Sequence, residues 1–105
     1  NILALYQPRQ QAMLQALDRH LPEGFTWSQP DGGMFIWVEG PKTLDAEKLY
    51  WQAIERQTAF VPGKFFFVNR NEGNATMRLN FTMTDEQTID RAVQVIGELA
   101  AQALN

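Results

Sequence analysis

The sequence predicts an α+β fold, a small and mostly antiparallel sheet with helices packed on it. Two observations predict this class: apolar residues recur at helical spacing in three segments, and short apolar or alternating runs lie between those segments. The predicted order is helix, strand, strand, helix, strand, strand, helix. The 105 residues, 45% of them hydrophobic, fit one domain, 1–105, with a core of modest size.

The first three elements are a helix and two strands. Large apolar residues recur at helical spacing between positions 3 and 21, and Pro8 must either kink this helix or open a restarted one. Residues 25–28 then predict a short strand, and turn-forming residues follow it. Residues 34–39 are apolar at nearly every position, which predicts a central strand covered on both faces.

The second helix begins at an acidic residue that can cap it. Asp45 has the position of an N-cap or of an acid in the first turn, and residues 46–57 carry an apolar stripe at helical spacing. A brief strand is predicted at 58–61, where Pro62-Gly63 breaks it. Residues 65–68 predict a short extended piece, and residues 69–74 are polar enough to form a loop.

The last strand and the last helix have the clearest patterns. Residues 76–82 alternate between apolar and polar side chains, which predicts a strand with one buried face. Thr84 and Gln87 have the spacing of a capping box, in which each side chain satisfies a backbone N–H of the other's residue. The buried stripe of the third helix then runs from Ile89 to Ala103.

Composition excludes several classes of site. Without cysteine the chain has no disulfide, thiol nucleophile or thiolate zinc site, and with His20 as its one histidine it has no multi-histidine metal cluster. The net charge of −3 argues against a nucleic-acid surface. No apolar run approaches the roughly 20 residues that span a membrane, and the start at Asn1 has no signal-peptide pattern. We expect a cytoplasmic protein, and a start in mid-pattern indicates a piece of a longer chain.

Arg78 is the candidate with the most specific chemistry. Apolar neighbours at 77 and 79 direct it to one face of an alternating strand. Its planar guanidinium is permanently charged and matches a carboxylate in two-point contact. The alternative is an internal pair with Asp31, Glu39 or another acid, or a place on a solvated face.

Two further segments have both a functional and a structural interpretation. Gly32 and Gly33 precede a predicted strand, where adjacent glycines let a ligand come close, although Asp-Gly is also ordinary turn chemistry. Residues 65–67 are three consecutive phenylalanines, which cannot all point into one small core. Some of them either line a ligand cleft or cover an interface, or they plug a gap beneath the following loop.

Three segments in order resemble the C-terminal small domain of fold-type I aminotransferases that use pyridoxal phosphate. They are PDGGMFIW at 30–37, AFVPG at 59–63 followed by Phe66, and MRLNF at 77–81. The resemblance covers essentially the whole chain. It is strongest to the 2-aminoadipate/kynurenine aminotransferase branch, which includes the aminotransferase-like half of MocR-type regulators.

The resemblance implies a role for four of the residues above. It implies that Arg78 binds the α-carboxylate of an α-amino acid substrate and of the 2-oxo acid product. It also implies that Gly32 and Gly33 lie near the substrate side chain, and that the segment ending at Phe66 forms part of the wall of the site. Asn80 shares the Arg78 face by strand alternation, so it is a possible further lining residue.

The resemblance also implies what this chain lacks. The Schiff-base lysine and the other residues that hold pyridoxal 5'-phosphate belong to a large domain that would precede residue 1. We therefore expect no catalytic, cofactor-binding or metal-binding residue here, no activity of the isolated chain, and a homodimer for the intact aminotransferase. Closure of the small domain on the large domain of the same chain would exclude water.

Two other functions stay open at this point. The domain could be the effector part of a MocR/GntR-type transcriptional regulator, in which case nucleic acid is bound by an upstream module. It could also be a free-standing α+β binding domain without a cofactor. The residues upstream of this chain separate these possibilities.

Overall fold

The computed structural model describes residues 2–28, 35–80 and 85–104, and it confirms the predicted α+β class. Within these residues, three α-helices and four β-strands occur in the predicted order, and two short 3-10 turns lie between the last two strands. The elements are α1 (Ile2–His20), β1 (Thr26–Ser28), β2 (Phe35–Glu39), α2 (Ala46–Glu55), β3 (Val61–Pro62), the first 3-10 turn (Gly63–Phe66), the second 3-10 turn (Arg70–Gly73), β4 (Thr76–Asn80) and α3 (Glu86–Leu104).

The four strands form one sheet in the order β1-β2-β4-β3, and every neighbouring pair is antiparallel. The predicted central strand is β2, which pairs with β1 on one side and with β4 on the other. In the β2–β4 ladder Ile36 lies opposite Leu79, and Trp37 lies opposite Arg78. Because directly opposed residues point to the same side of a sheet, this register determines what surrounds Arg78.

One face of the sheet carries the hydrophobic core. Side chains from β2, β4 and the three helices form a single buried cluster, so the helices cover this face. Its largest fully buried members are Leu17, Ile36, Leu49, Met77, Ile89, Ile96, Val38 and Val93. The other face of β2 is only half-buried at Phe35 and Trp37, so the prediction of complete cover on both faces does not hold.

Aspartate side chains cap the N-termini of two helices. Asp45 caps α2 as predicted and accepts hydrogen bonds from the backbone N–H groups of Glu47 and Lys48. In α3 the Asp85 carboxylate accepts the Thr88 N–H at 2.8 Å, and this hydrogen bond lowers the pKa of Asp85. Thr84, the predicted capping residue, lies outside the described residues.

Of the two alternatives predicted for Pro8, a kink or a restarted helix, the restarted helix does not occur, because α1 continues through Pro8. Two further local predictions differ from the structure. The strand predicted at 58–61 is reduced to Val61–Pro62, because the chain leaving α2 is still turning at Gln57, whose φ is 60°. The extended piece predicted at 65–68 is wrong, because residues 63–66 form a 3-10 turn closed by the Phe67 N–H donating to the Lys64 carbonyl.

The described helices include none that is long and apolar enough to cross a membrane. The same residues contain no group of three or more histidines and acidic residues that could hold a metal ion.

Candidate functional site

Arg78 lies in the middle of β4, on the face of the sheet that the helices leave open. Its neighbours Met77 and Leu79 are buried in the core, and the Arg78 side chain is half-buried on the opposite face. Trp37 of β2 lies directly opposite it on one side and Val61 of β3 on the other. The predicted alternation is therefore confirmed from Met77 to Asn80, while residues 81 and 82 lie outside the described residues. The sheet holds Arg78 between two partner strands.

Two phenylalanine rings flank the guanidinium. The Arg78 Cζ atom lies 4.6 Å from the centroid of the Phe35 ring and 4.9 Å from that of the Phe66 ring. Both distances are within the range of a cation–π interaction, in which the negative face of the ring attracts the cation. The two rings thus stabilise the positive charge of Arg78.

No acid among the described residues forms an ion pair with Arg78. Glu39, one of the partners considered from the sequence, lies opposite Thr76 and is a diagonal neighbour of Arg78 on the same face, yet it forms no ion pair with Arg78. Asp31, the other named partner, lies outside the described residues. Within the described part of the chain, no carboxylate therefore occupies the hydrogen-bond donors of this guanidinium.

The three consecutive phenylalanines divide between the two interpretations. Phe67 packs against Trp37 with ring centroids 6.0 Å apart, and a Cβ added at Gly73 would lie 2.8 Å from Phe67 Cε1, so Phe67 fills the space beneath the loop. Phe66 is 54% exposed and lies beside Arg78. Phe65 is 47% exposed.

A close backbone approach positions the first 3-10 turn on the sheet. A Cβ added at Gly63 would lie 2.7 Å from Thr76 Cβ and 2.9 Å from Trp37 Cη2, closer than real Cβ atoms come. Glycine at this position lets the turn touch the open face of the sheet. Phe66, three residues later, then reaches Arg78.

The structure brings together some of the predicted site residues. Arg78 and Phe66 are in contact, and Asn80 lies two residues further along β4, exposed and opposite Phe35. Gly32 and Gly33 lie outside the described residues. Phe35 was not identified from the sequence, because its contact with Arg78 depends on the register of two strands whose first residues are 41 positions apart in the chain.

The lysines of this chain do not form a cofactor site in the described structure. Lys42 and Lys48 are exposed, and Lys64 pairs with Glu47 at 2.6 Å. A lysine that bonds covalently to a carbonyl cofactor is activated by desolvation or by a neighbouring cation. Lys42 and Lys48 are exposed and therefore not desolvated. The neighbour of the Lys64 ammonium is the carboxylate of Glu47 and not a cation.

Comparison with known proteins places these residues in a family context. The family model described as aminotransferase class I and II matches residues 3–96. A 2-aminoadipate transaminase of Thermus thermophilus is 44% identical over 93 residues, which are 89% of this chain and 23% of that protein. A transcriptional regulator of the helix-turn-helix type from Escherichia coli, described as uncharacterized, is 32% identical over 96 residues, 91% of this chain and 20% of the regulator.

Solved structures agree with the sequence comparison. A multiple substrate aminotransferase from Thermococcus profundus superposes with a TM-score of 0.90 at 41% identity, over 98% of this chain and 25% of that one. The α-aminoadipate aminotransferase of Thermus thermophilus, complexed with N-(5'-phosphopyridoxyl)-L-leucine, gives a TM-score of 0.82 at 40% identity, over 94% of this chain and 25% of that one. The chain therefore spans about a quarter of the length of these relatives.

Proposed function

The chain belongs to the aminotransferase class I and II family, and we propose that it is the C-terminal small domain of a pyridoxal-phosphate-dependent aminotransferase. In this proposal residues 1–105 form one domain, and Arg78 binds the α-carboxylate of the substrate. The single observation that carries the proposal is a half-buried guanidinium that two aromatic rings flank and that no described acid pairs with.

The chemistry of an aminotransferase suits such a group. The amino acid that gives the amino group and the 2-oxo acid that receives it share a carboxylate and differ at the neighbouring carbon. One guanidinium can therefore hold both substrates by the same two parallel hydrogen bonds. Because β4 fixes where the guanidinium lies, binding there also fixes the direction of the reacting carbon, and such orientation contributes to rate as well as to affinity.

Pyridoxal 5'-phosphate supplies the electron sink of the reaction when it is bound. The described residues of this chain do not fit it, since none of Lys42, Lys48 and Lys64 lies in a suitable environment. The proposal assigns the cofactor to the large domain of the longer chain, so the isolated 105 residues are inactive. In the same proposal the intact enzyme is a cytoplasmic homodimer, and its partners are small α-amino and 2-oxo acids. Gly32, Gly33, Phe66 and Asn80 line the substrate site in this proposal.

The test uses the full-length protein with Arg78→Ala and Arg78→Lys. We expect Arg78→Ala to lower kcat/KM for α-amino acids by about a hundredfold, because two charge-assisted hydrogen bonds are lost. Arg78→Lys should recover only part of the loss, because an ammonium cannot make the two-point contact. Absorbance of the bound cofactor should stay unchanged in both variants.

Two results would refute this assignment of Arg78. An unchanged kcat/KM would show that the carboxylate is bound elsewhere. An equal loss of cofactor absorbance and activity would show that Arg78 supports the fold of the protein instead of binding the substrate.

The similarity to a helix-turn-helix regulator favours a second candidate function. The same domain would then bind an amino-acid-like effector and control a DNA-binding module earlier in the chain. The sequence upstream of residue 1 decides between the two: a helix-turn-helix segment ahead of the large domain supports the regulator, and its absence supports the enzyme.

A further inference from the structure

We propose that Phe35 and Phe66 are positioning residues that hold the Arg78 guanidinium in its carboxylate-binding orientation. The inference rests on the proposed function, since it concerns how the carboxylate-binding group is kept in place. It adds two residues that act through Arg78, one of which the sequence did not single out.

The first ring is placed by the sheet. Phe35 pairs with Asn80 and Trp37 pairs with Arg78, so Phe35 and Arg78 are diagonal neighbours on the same face of the β2–β4 ladder. This diagonal brings the ring centroid to 4.6 Å from the Arg78 Cζ atom. The strand pairing therefore determines where the Phe35 side chain leaves the backbone relative to Arg78.

The second ring is placed by the first 3-10 turn and supported from the side. The Phe66 ring meets the Trp37 ring edge-on, with centroids 6.1 Å apart, and Trp37 packs in turn on Phe67. The centroid of Phe66 lies 4.9 Å from Arg78 Cζ. Because Phe66 is 54% exposed, burial alone does not fix its ring, and the contact with Trp37 helps to hold the ring beside Arg78.

Aromatic rings hold a guanidinium without using its donors. The attraction acts between the charge and the ring face, whereas an acidic side chain would occupy the N–H groups themselves. Two rings on different elements therefore restrict the rotation of the guanidinium and leave its hydrogen bonds for the ligand. A group ordered before binding loses less freedom on binding, which raises affinity.

A change at Phe66 should therefore weaken carboxylate binding specifically. Leucine would keep an apolar side chain at this exposed position but remove the ring face, while tyrosine would keep the ring. If Phe66 served only as a wall of the site, it would contact the hydrocarbon part of a ligand, and the charge of that ligand would not matter.

The experiment measures the dissociation constants of 3-phenylpropionate and of 3-phenylpropanamide with the full-length, cofactor-loaded protein. The two probes share their hydrocarbon part and differ in the carboxylate. We expect Phe66→Leu to weaken binding of the carboxylate about fivefold and that of the amide less than twofold. Phe66→Tyr should keep both within twofold of the original protein. Trp51→Leu, which also replaces an exposed aromatic side chain with leucine, at a 60% exposed position on α2, is the control and should change neither.

Equal weakening of both probes in Phe66→Leu, or no weakening of either, would overturn the inference. Arg78→Ala separates this outcome from failure of the proposed function: if it leaves the affinity for the carboxylate unchanged, the carboxylate site itself is wrong. In the Arg78→Ala background Phe66→Leu should cause no further loss, because the two residues act as one unit. Phe35→Leu gives a parallel test on the other ring. Phe35 is half-buried, and if its replacement prevents folding, the Phe66→Leu variant alone is sufficient for the test.

Discussion

Replacing Gly63 with alanine tests whether the first 3-10 turn is held in contact with the open face of the sheet. A methyl group there would lie 2.7 Å from Thr76 Cβ and 2.9 Å from Trp37 Cη2. Thr76 is buried in β4, and backbone lies behind it, so the turn must move away from the sheet. Forced overpacking of this kind costs typically about 1–3 kcal/mol.

The displacement would also disturb a buried hydrogen bond. Thr76 Oγ1 donates to the Gly73 carbonyl at 2.7 Å, and that bond joins β4 to the end of the second 3-10 turn. A net loss of about 1 kcal/mol is usual for such a bond. We therefore expect Gly63→Ala to lower the free energy of unfolding of this domain by about 2–4 kcal/mol.

The measurement is urea-induced unfolding followed by tryptophan fluorescence, since Trp37 lies beside the substituted position. Val68→Ala is the matched control: it changes a fully exposed side chain in the same loop and should stay within about 0.5 kcal/mol of the original chain. A Gly63→Ala variant as stable as the Val68→Ala variant would show that the turn does not rest on the sheet as described.

Two further predictions concern the core and the start of α3. Met77→Ala should lower the free energy of unfolding by about 2–5 kcal/mol in the same denaturation assay, because Met77 is completely buried in the inner strand β4. A loss below about 1 kcal/mol would contradict the described core. Asp85→Asn should destabilise the chain at neutral pH, because the Thr88 N–H bond lowers the pKa of the Asp85 carboxyl below its ordinary value of 3.8. The ionised Asp85 carboxylate therefore stabilises the fold at pH values above 3.8, and this stabilisation is lost as the pH falls through the lower pKa of the folded state. The melting curves of the two proteins should differ at pH 7 and converge below about pH 3.8.

The order of the elements could be predicted because each depends on local patterns. The apolar stripes of α2 and α3 and the alternation of β4 need no knowledge of the rest of the chain. Asp45 at the start of α2 is likewise recognisable from its place just ahead of an apolar stripe, and the structure confirms its role as N-cap. For the same reason Arg78 could be assigned to one face of a strand before any partner strand was known.

The surroundings of Arg78 could not be predicted because they depend on contacts between distant segments. The run of phenylalanines at 65–67 has the composition of a strand, yet residues 63–66 form a 3-10 turn because Gly63 allows contact with Trp37 and Thr76. Phe35 has no local signal that links it to Arg78. The register of β2 on β4 places them together, and that register becomes visible only in the folded chain.

A crystal structure of the full-length protein with a bound α-amino or 2-oxo acid tests the central claim most directly. We expect two nitrogens of the Arg78 guanidinium to lie about 2.7–2.9 Å from the two oxygens of the ligand carboxylate, with Phe35 and Phe66 still beside it. A ligand carboxylate bound elsewhere, with Arg78 paired to an acid of the protein itself, would contradict the account.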